Sequence, residues 1–198
     1  MWLRAKSYAI SERERRATLG KIVSYFFISL DGVVESPDQW HFPYFDDEMG
    51  NAVGKGFERT EALLMGRVGY DEWASYWPQS EDEPIASFMN NAPKYVVSNT
   101  LVEATWNNTT VVSGDVAARL RQIRDKTEGN IAISGSATLV RWLLANGLLD
   151  ELALMVHPIV VGKGQRLFED TPQHPLELID HEVFGTGVLN LTYAPAKS

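Results

Sequence analysis

Three short segments of small, polar or basic residues each follow an apolar run of the sequence. They are Gly66-Arg67, Ser98-Asn99-Thr100 and Gly135-Ser136-Ala137-Thr138. A glycine lets the backbone approach a phosphate closely, and an arginine can bind a phosphate through two parallel hydrogen bonds. The free N–H groups at a helix start, as expected after Gly135, also favour an anion. Each segment alone is more typical of a turn, a polar loop or a helix cap, but their conjunction at strand ends makes a nucleotide cofactor that carries phosphates an equally good interpretation.

A second group of residues could contact an organic substrate. Ser29 and Asp31 follow the first apolar run, and Trp40 and Asp46 belong to an aromatic and acidic stretch before a predicted helix. Aromatic rings stack on flat heterocycles, and a half-buried carboxylate can bind ring N–H groups or transfer a proton. The alternative is purely structural. In that interpretation Asp31 shapes a turn, the aromatic residues pack in the core and Asp46 caps the helix.

The elements that must position these residues alternate between strands and helices. Short runs rich in Val, Ile, Phe and Tyr predict strands, and polar caps before apolar residues at helical spacing predict helices. The predicted strands are Lys21–Leu30, Ala62–Met65, Lys94–Ser98, Thr109–Ser113, Asn130–Ser134 and Glu151–Val161, with a hairpin of Leu176–Val183 and Val188–Tyr193; helices are predicted to begin at Asp46, Asp115 and Ser136. This alternation predicts one α/β domain over residues 21–198, with helices on both faces of a largely parallel sheet and an antiparallel end.

Composition and charge exclude several classes of protein and site. The 198-residue chain has no Cys, which excludes disulfides and thiolate zinc sites, and its four scattered His residues predict no metal site. A net charge of −8 argues against nucleic-acid and membrane partners, and no apolar run is long enough for a membrane helix. We therefore expect a cytoplasmic protein with a small-molecule substrate. Residues 1–20 carry a net charge of +3 and are predicted to form a solvated extension or a short helix with a Ser11–Glu14 capping box.

The order of these segments resembles the dihydrofolate reductase-like fold. Ser29-Leu30-Asp31-Gly32-Val33 follows the first strand, a Trp-x-x-Pro pattern at Trp40–Pro43 precedes a helix, and Leu64-Met65-Gly66-Arg67 ends the next strand. Lys94–Ser98, Ile133–Thr138, His157-Pro158 and Gly162–Phe168 continue the match. These later segments look like the stand-alone relatives of the reductase domain of the bifunctional riboflavin-biosynthesis deaminase-reductase. The resemblance covers Lys21 to Ala194.

The resemblance implies a three-layer α/β/α reductase that transfers a hydride from NADPH to a C=N or C=O carbon of a small heterocycle, such as a ribosylaminopyrimidine. It assigns Gly66 and Arg67 to the cofactor's phosphates, Ser98, Asn99 and Thr100 to the adenosine 2′-phosphate, and Gly135, Ser136, Ala137 and Thr138 to the pyrophosphate. Ser29, Asp31, Trp40 and Asp46 would face the substrate, with Asp31, Asp46 and Trp40 as catalytic residues. Because relatives often pair, the apolar run Leu152–Val161 also predicts a homodimer contact.

Two positions depart from the pattern of the folate enzymes. Their phosphate-binding Thr after Gly-Arg is replaced by Gly69, so that this contact is lost or passes to Tyr70. Their helix acid corresponds to Phe45, with Asp46 one residue later, and neighbours on a helix point about 100° apart. Two alternatives therefore stay open: a pterin or dihydrofolate reductase, and a nucleotide-binding protein without turnover.

Overall fold

A mixed β-sheet, mostly parallel, organises the chain. The computed structural model describes residues 20–196, so the predicted extension before Gly20 and its Ser11–Glu14 cap lie outside the described residues. The eight strands follow the spatial order β4-β3-β2-β5-β1-β6-β8-β7, and β8 runs antiparallel to both of its neighbours. The strands are β1 (Lys21–Ser29), β2 (Thr60–Gly66), β3 (Lys94–Val97), β4 (Thr109–Val112), β5 (Asn130–Ser134), β6 (Glu151–His157), β7 (Leu176–Val183) and β8 (Leu189–Pro195).

Helices cover both faces of this sheet. In the described part of the chain they are α1 (Asp47–Glu58), α2 (Arg67–Tyr76), α3 (Ile85–Asn91), α4 (Val116–Arg124) and α5 (Ala137–Ala145). Leu120 of α4 and Leu143 of α5 belong to the core on one face, whereas Met49 of α1, Tyr70 of α2 and Met89 of α3 are buried on the other. The predicted three-layer α/β/α fold, with its C-terminal antiparallel hairpin, is therefore confirmed. Within residues 20–196 no helix is long and apolar enough to cross a membrane.

The central strand β1 shows why the sheet is buried on both sides. Ile22 and Phe26 point into the core beneath α4 and α5, and Tyr25 and Phe27 pack against the clusters on the opposite face. A strand covered on both faces reads as a continuous apolar run, which is how β1 appears in the sequence. The parallel register pairs Tyr25 with Ser134 of β5 and Ser29 with His157 of β6.

Strand β6 ends at His157, so the prediction that it continues to Val161 is wrong. Pro158 follows directly and has no N–H group with which to extend a ladder. The chain turns instead: the Ile159 N–H donates to His157 O at 2.8 Å, and Ile159 O accepts from the Leu30 N–H at 2.8 Å. The residues after β6 are thereby joined to the turn after β1.

Two of the three predicted helix caps are confirmed. Asp46 Oδ1 accepts from the Met49 N–H at 2.9 Å, and Asp115 Oδ1 accepts from the Ala118 N–H at 3.0 Å. Helix α5 begins after Ser136 as predicted, but the Ser136 side chain does not cap it. The Ser136 hydroxyl lies beside Gly66 of the neighbouring strand.

Lys94, the first residue of β3, is fully buried. Its ammonium donates to the carbonyl oxygens of Met89 and Ala92 at 2.8 Å and of Asn90 at 3.2 Å, and it lies 4.4 Å from the ring centroid of Trp106. These carbonyls belong to the C-terminal end of α3, where backbone acceptors lack partners within the helix. Lys94 therefore ends α3 as a buried cationic cap.

Candidate active site

The carboxyl ends of five parallel strands meet at one edge of the sheet. Strands β3, β2, β5, β1 and β6 are consecutive parallel neighbours. The residues at or just after their ends therefore follow the same order along this edge, namely Ser98, Gly66, Gly135, Asp31 and Pro158. All predicted cofactor residues lie at or just after the ends of the first three strands, and the predicted substrate residues Ser29 and Asp31 lie where the fourth ends. Ligands of open α/β sheets bind at such an edge.

Gly66 and Ser136 approach each other closely at this edge. A Cβ atom on Gly66 would lie 2.8 Å from the Ser136 hydroxyl oxygen. Any larger residue at position 66 would therefore displace that hydroxyl or the backbone that carries it. The bends at the ends of β2 and β5 are therefore adjacent, and one elongated anion could contact both.

Gly135 forms the bend between β5 and α5 in a left-handed conformation, with φ of +87°. A Cβ atom there would meet no other atom within 4 Å, so the space beside the bend is open. Because Ser136 does not cap α5, no side chain of the described residues takes the place of an anion at this helix start. The Ala137 side chain is buried beneath the helix, while Thr138 is exposed. The geometry fits an anion held by backbone N–H groups.

Arg67 is the first residue of α2 and is partly exposed. Its Nε donates to both carboxylate oxygens of Asp71, at 2.9 and 2.7 Å. Within residues 20–196 its two terminal nitrogens have no hydrogen-bond partner, so they are available to a phosphate. The Tyr70 hydroxyl accepts from the N–H groups of Thr105 and Trp106 at 2.8 and 3.0 Å, and Tyr70 is only 3% exposed, so it is buried away from the place of the lost threonine contact.

Ser98 closes a turn after β3. Its hydroxyl accepts from the N–H groups of Thr100 and Leu101, at 3.1 and 3.0 Å, and the residue is only 9% exposed. Asn99 and Thr100 are exposed at the same edge. The Ser98 hydroxyl therefore stabilises the turn, whereas the side chains of Asn99 and Thr100 are accessible from solvent.

Asp31 joins the ends of β1 and β6 through a closed set of hydrogen bonds. Ser29 Oγ donates to Asp31 Oδ1 at 2.6 Å, and the N–H groups of Val161 and Gly162 donate to its two oxygens at 3.0 and 2.9 Å. Arg166 Nη2 lies 3.6 Å from Oδ2. The Ser29 hydrogen bond, followed by that of Val161, lowers the pKa of Asp31 to about 2. Asp31 is therefore ionised at neutral pH, and it orients the loop after β6 rather than supplying a proton.

Replacing Asp31 by asparagine is expected to loosen this loop and to lower the free energy of unfolding. The folded-state pKa lies below the ordinary value of 3.8, so the carboxylate's contribution is complete above about pH 4 and is lost as the pH falls from 3.8 to about 2. Hydrogen exchange at the Val161 and Gly162 amides, with urea unfolding between pH 2 and 7, measures both effects. Asp38→Asn is the control, because Asp38 has no hydrogen bond to the described residues; equal behaviour of the two variants would contradict the prediction.

Trp40 lies in a buried aromatic cluster beside the end of β6. It is 8% exposed, its Nε1 donates to Glu35 O at 3.1 Å, and its ring meets that of His157 edge-on at 5.2 Å between centroids. His157 is fully buried, its Nδ1 lies 2.8 Å from Met155 O, and burial lowers its pKa. The structural interpretation therefore fits Trp40: it packs as a wall and presents no free polar atom.

Asp46 and Phe45 share an open depression with Asp47, Gly50 and Asn51. Asp46 caps α1, as the structural alternative expects, and still lines the depression. Phe45, which corresponds to the folate-enzyme acid, is 47% exposed there. Next to it the His41 ring stacks on Phe27 at 4.6 Å, and burial lowers the pKa of His41. The depression thus combines an aromatic surface with carboxylates, next to an uncharged imidazole.

Comparison with known families shows which family the chain belongs to. The model of the RibD C-terminal domain matches residues 20–190, nearly the whole described chain. The chain belongs to the RibD C-terminal domain family. Among curated relatives, the uncharacterized protein YyaP of Bacillus subtilis strain 168 is 26% identical over 179 residues, covering 87% of this chain and 94% of YyaP.

Solved structures agree with this family in fold. A Shewanella sp. PV-4 protein named for riboflavin biosynthesis superposes with a TM-score of 0.73 at 22% identity, covering 89% of this chain and 99% of that one. The dihydrofolate reductase of Enterococcus faecalis, solved with NADP(H), superposes with a TM-score of 0.61 at 16% identity, covering 90% and 98%. The fold of this RibD C-terminal domain family member is dihydrofolate reductase-like.

The family match included Gln165 and Arg166, but it did not predict that they join the segment after β6 to the segment after β1 in this RibD C-terminal domain. Arg166 Nε donates to Asp31 O at 3.0 Å, and the Gln165 N–H donates to Glu35 Oε2 at 2.6 Å. The Gly162-x-Gly164 spacing is typical of a tight turn, and both glycines adopt positive φ. A turn pattern does not reveal that its partner lies about 130 residues earlier in the chain.

Proposed function

We propose that this protein is an NADPH-dependent reductase of a small heterocyclic substrate, acting on a C=N or C=O carbon. The observation that carries the proposal is the contact between Gly66 and Ser136, which brings two anion-compatible bends together at the carboxyl edge. Membership of the RibD C-terminal domain family supports a reductase-type function. A riboflavin-pathway substrate of the ribosylaminopyrimidine type is the first to be tested.

The cofactor side would use residues of three neighbouring strand ends. Gly135, Ser136, Ala137 and Thr138 would hold the pyrophosphate through the start of α5, with Gly66 leaving room for it; Arg67 would bind a phosphate through its terminal nitrogens; and Ser98, Asn99 and Thr100 would meet the 2′-phosphate. When bound, NADPH supplies the hydride. The task of the chain is to align the two reactants and to exclude water.

The substrate side would use the depression before α1. We propose that Asp46, at the rim of the depression, binds or protonates the substrate through water, and that Ser29 and Asp31 orient the loop that borders it. Trp40 would form its rigid wall. Asp31 and Trp40 would then affect the reaction only by positioning the loop and the wall of the site. Asp46 is therefore the first candidate for proton transfer.

Replacing Arg67 by alanine is expected to weaken NADPH binding by about 1.5–3 kcal/mol, because a charge-assisted hydrogen bond to a phosphate is lost. This corresponds to a roughly 10- to 150-fold higher Kd, measurable by NADPH fluorescence. Arg121→Ala, an exposed arginine of α4, serves as the control and should leave the Kd unchanged. An unchanged Kd in Arg67→Ala would remove this residue from the cofactor site.

Steady-state assays separate the proposal from its alternatives. NADPH oxidation with a ribosylaminopyrimidine, with dihydrofolate and with a panel of carbonyl and imine compounds would distinguish the pathway reductase from a pterin or dihydrofolate reductase. A third possibility is a nucleotide-binding protein without turnover. It is favoured by Gly69, which stands where the folate enzymes have a phosphate-binding threonine, and by the capping role of Asp46. NADPH binding without reduction of any compound would favour that possibility and overturn the reductase.

We also propose a homodimer, formed through one face of the C-terminal hairpin rather than through the edge of β6. Register places Leu178, Val183 and Leu189 on the same face, and they are 47%, 65% and 37% exposed. The opposite face carries Glu177, Asp180 and Glu182. An apolar face open to solvent beside a polar one marks an interaction surface.

Val183→Lys is expected to convert the dimer to a monomer, because it places a charge at the most exposed of the three apolar residues of this face. Sedimentation velocity at micromolar concentration measures the change. Glu182→Lys is the matched control, since the adjacent residue points to the opposite face. A wild-type protein that sediments as a monomer would contradict the homodimer.

A further inference from the structure

The segment that borders the proposed substrate side is strongly acidic. Between Leu30 and Gly54 the sequence holds six carboxylates and neither Lys nor Arg. The carboxylates are Asp31, Glu35, Asp38, Asp46, Asp47 and Glu48. Charge of one sign around a concave site repels ligands of the same sign and concentrates those of the opposite sign.

Within residues 20–196, five of these six carboxylates form no ion pair, although Lys55 follows the segment directly on α1. In the described part of the chain, the ion pair between Arg166 and Asp31 is the one that involves any of the six carboxylates. Arg166 is held there by its contacts to Asp31, and Lys163 is exposed on the turn after β6. Glu35, Asp46 and Glu48 accept N–H groups, which leaves their charge in place. Burial lowers the pKa of His41, which disfavours the charged form of its ring.

The surface of the depression is suited to a flat ring. Phe45 lines it at 47% exposure, and Phe42, 4.2 Å from the His41 ring, is 64% exposed. Asp46 and Asp47 lie in the same lining. A ring with N–H donors or a positive charge can contact both kinds of group, whereas a phosphate monoester would have to approach two carboxylates of the same sign of charge.

We infer that the substrate of this site is an uncharged or cationic heterocycle without a phosphate group, and that Asp46 and Asp47 exclude phosphorylated substrates. This inference rests on the proposed function, since it specifies what the reductase would accept. It narrows the ribosylaminopyrimidine-type substrate of the proposed function to compounds that carry no phosphate group. The chain would act on a dephosphorylated or never phosphorylated ring compound.

The absence of cysteine provides a direct test of the charge in the depression. Asn51→Cys and Phe45→Cys each introduce a single thiol into the lining, and their reaction with cationic and anionic methanethiosulfonates can be followed separately. After correction for the rates with 2-mercaptoethanol, we expect the cationic reagent to react at least about tenfold faster at low salt, and the ratio to fall as salt is raised. Val102→Cys, at a residue 98% exposed beside β3, is the reference site.

Neutralising two carboxylates that have no hydrogen bonds to described residues should reduce that ratio. In the background of Asn51→Cys, the double variant Asp38→Asn/Asp47→Asn is expected to lower it by about threefold or more. A ratio equal to that of Val102→Cys, or one that the double variant leaves unchanged, would overturn the inference. Neither result would alter the Arg67→Ala test, so the proposed reductase and this inference can fail separately.

The substrate class is then tested with a matched pair, 5-amino-6-ribosylaminouracil and its 5′-phosphate. Binding to the NADP⁺ complex is measured by tryptophan fluorescence, and reduction is measured by NADPH oxidation. We expect the unphosphorylated compound to bind at least about tenfold more tightly, with the difference shrinking in Asp38→Asn/Asp47→Asn. Equal or tighter binding of the phosphate, or binding of neither compound, overturns the inference.

Discussion

Replacing Lys94 by methionine is expected to lower the free energy of unfolding by about 2–4 kcal/mol, because buried carbonyls that lose their donor keep the cost of their desolvation. Three carbonyl oxygens at the end of α3 depend on this one ammonium, which is fully buried. Methionine fills a similar volume, so the loss reports the polar contacts and the contact with Trp106 rather than a cavity. Urea unfolding at pH 7 measures the change.

The exposed Lys126→Met is the control and should change the free energy of unfolding by less than about 0.5 kcal/mol. The pH dependence provides a second readout. Burial lowers the pKa of Lys94 to about 8 from 10.5. The folded chain then binds fewer protons than the unfolded chain between these values, so the stability contributed by this residue rises with pH from about 8 to 10.5. A wild-type-to-variant difference that is absent at pH 7, or that shrinks across this window, would contradict the assignment.

Replacing Gly135 by valine is expected to weaken NADPH binding by at least about 3 kcal/mol, more than roughly 150-fold in Kd, because two or more contacts between N–H groups and the pyrophosphate would be lost. The side chain would enter the open space beside the bend. The positive φ of Gly135 adds a backbone strain of about 1–3 kcal/mol to the folded protein. Isothermal titration of NADPH, together with thermal unfolding, separates the two losses.

Gly147 offers a matched control at the other end of α5. It also has positive φ, and a Cβ atom there would also meet no atom within 4 Å, but it lies before β6, at the opposite edge of the sheet. Gly147→Val should lower the stability to a similar extent and leave the NADPH affinity intact. If both variants lose cofactor affinity equally, the effect is one of stability and the proposed pyrophosphate site is wrong.

Local signals explain what the sequence predicted well. A cap such as Asp46 or Asp115 acts within three residues of itself, and a strand such as β5 is centred on the apolar residues 131–133. The adjacency of the bends at Gly66 and Gly135 follows from the parallel strand order, which the family resemblance implied. These features depend on short stretches of sequence or on a known topology.

Contacts between distant segments explain what the sequence did not predict. Ser136 was expected to cap α5, but its environment is set by Gly66, on another strand. The burial of Lys94 depends on where α3 ends, and the sequence analysis did not predict α3. Asp31 was interpreted as a catalytic residue or a turn residue, whereas the structure bonds it to a loop 130 residues later. The type of a polar residue does not predict which distant residue it will contact.

The register of the central strands gives the carboxyl edge two levels. Tyr25 lies opposite the last residue of β5, whereas β1 continues for four more residues to Ser29, which is level with the end of β6. At about 3.3 Å per residue, the upper level stands roughly 13 Å above the lower one. A ligand whose phosphates bind at the lower level must therefore extend along β1 to reach the upper level. Elongated dinucleotides span such a height, and a lone inorganic phosphate does not.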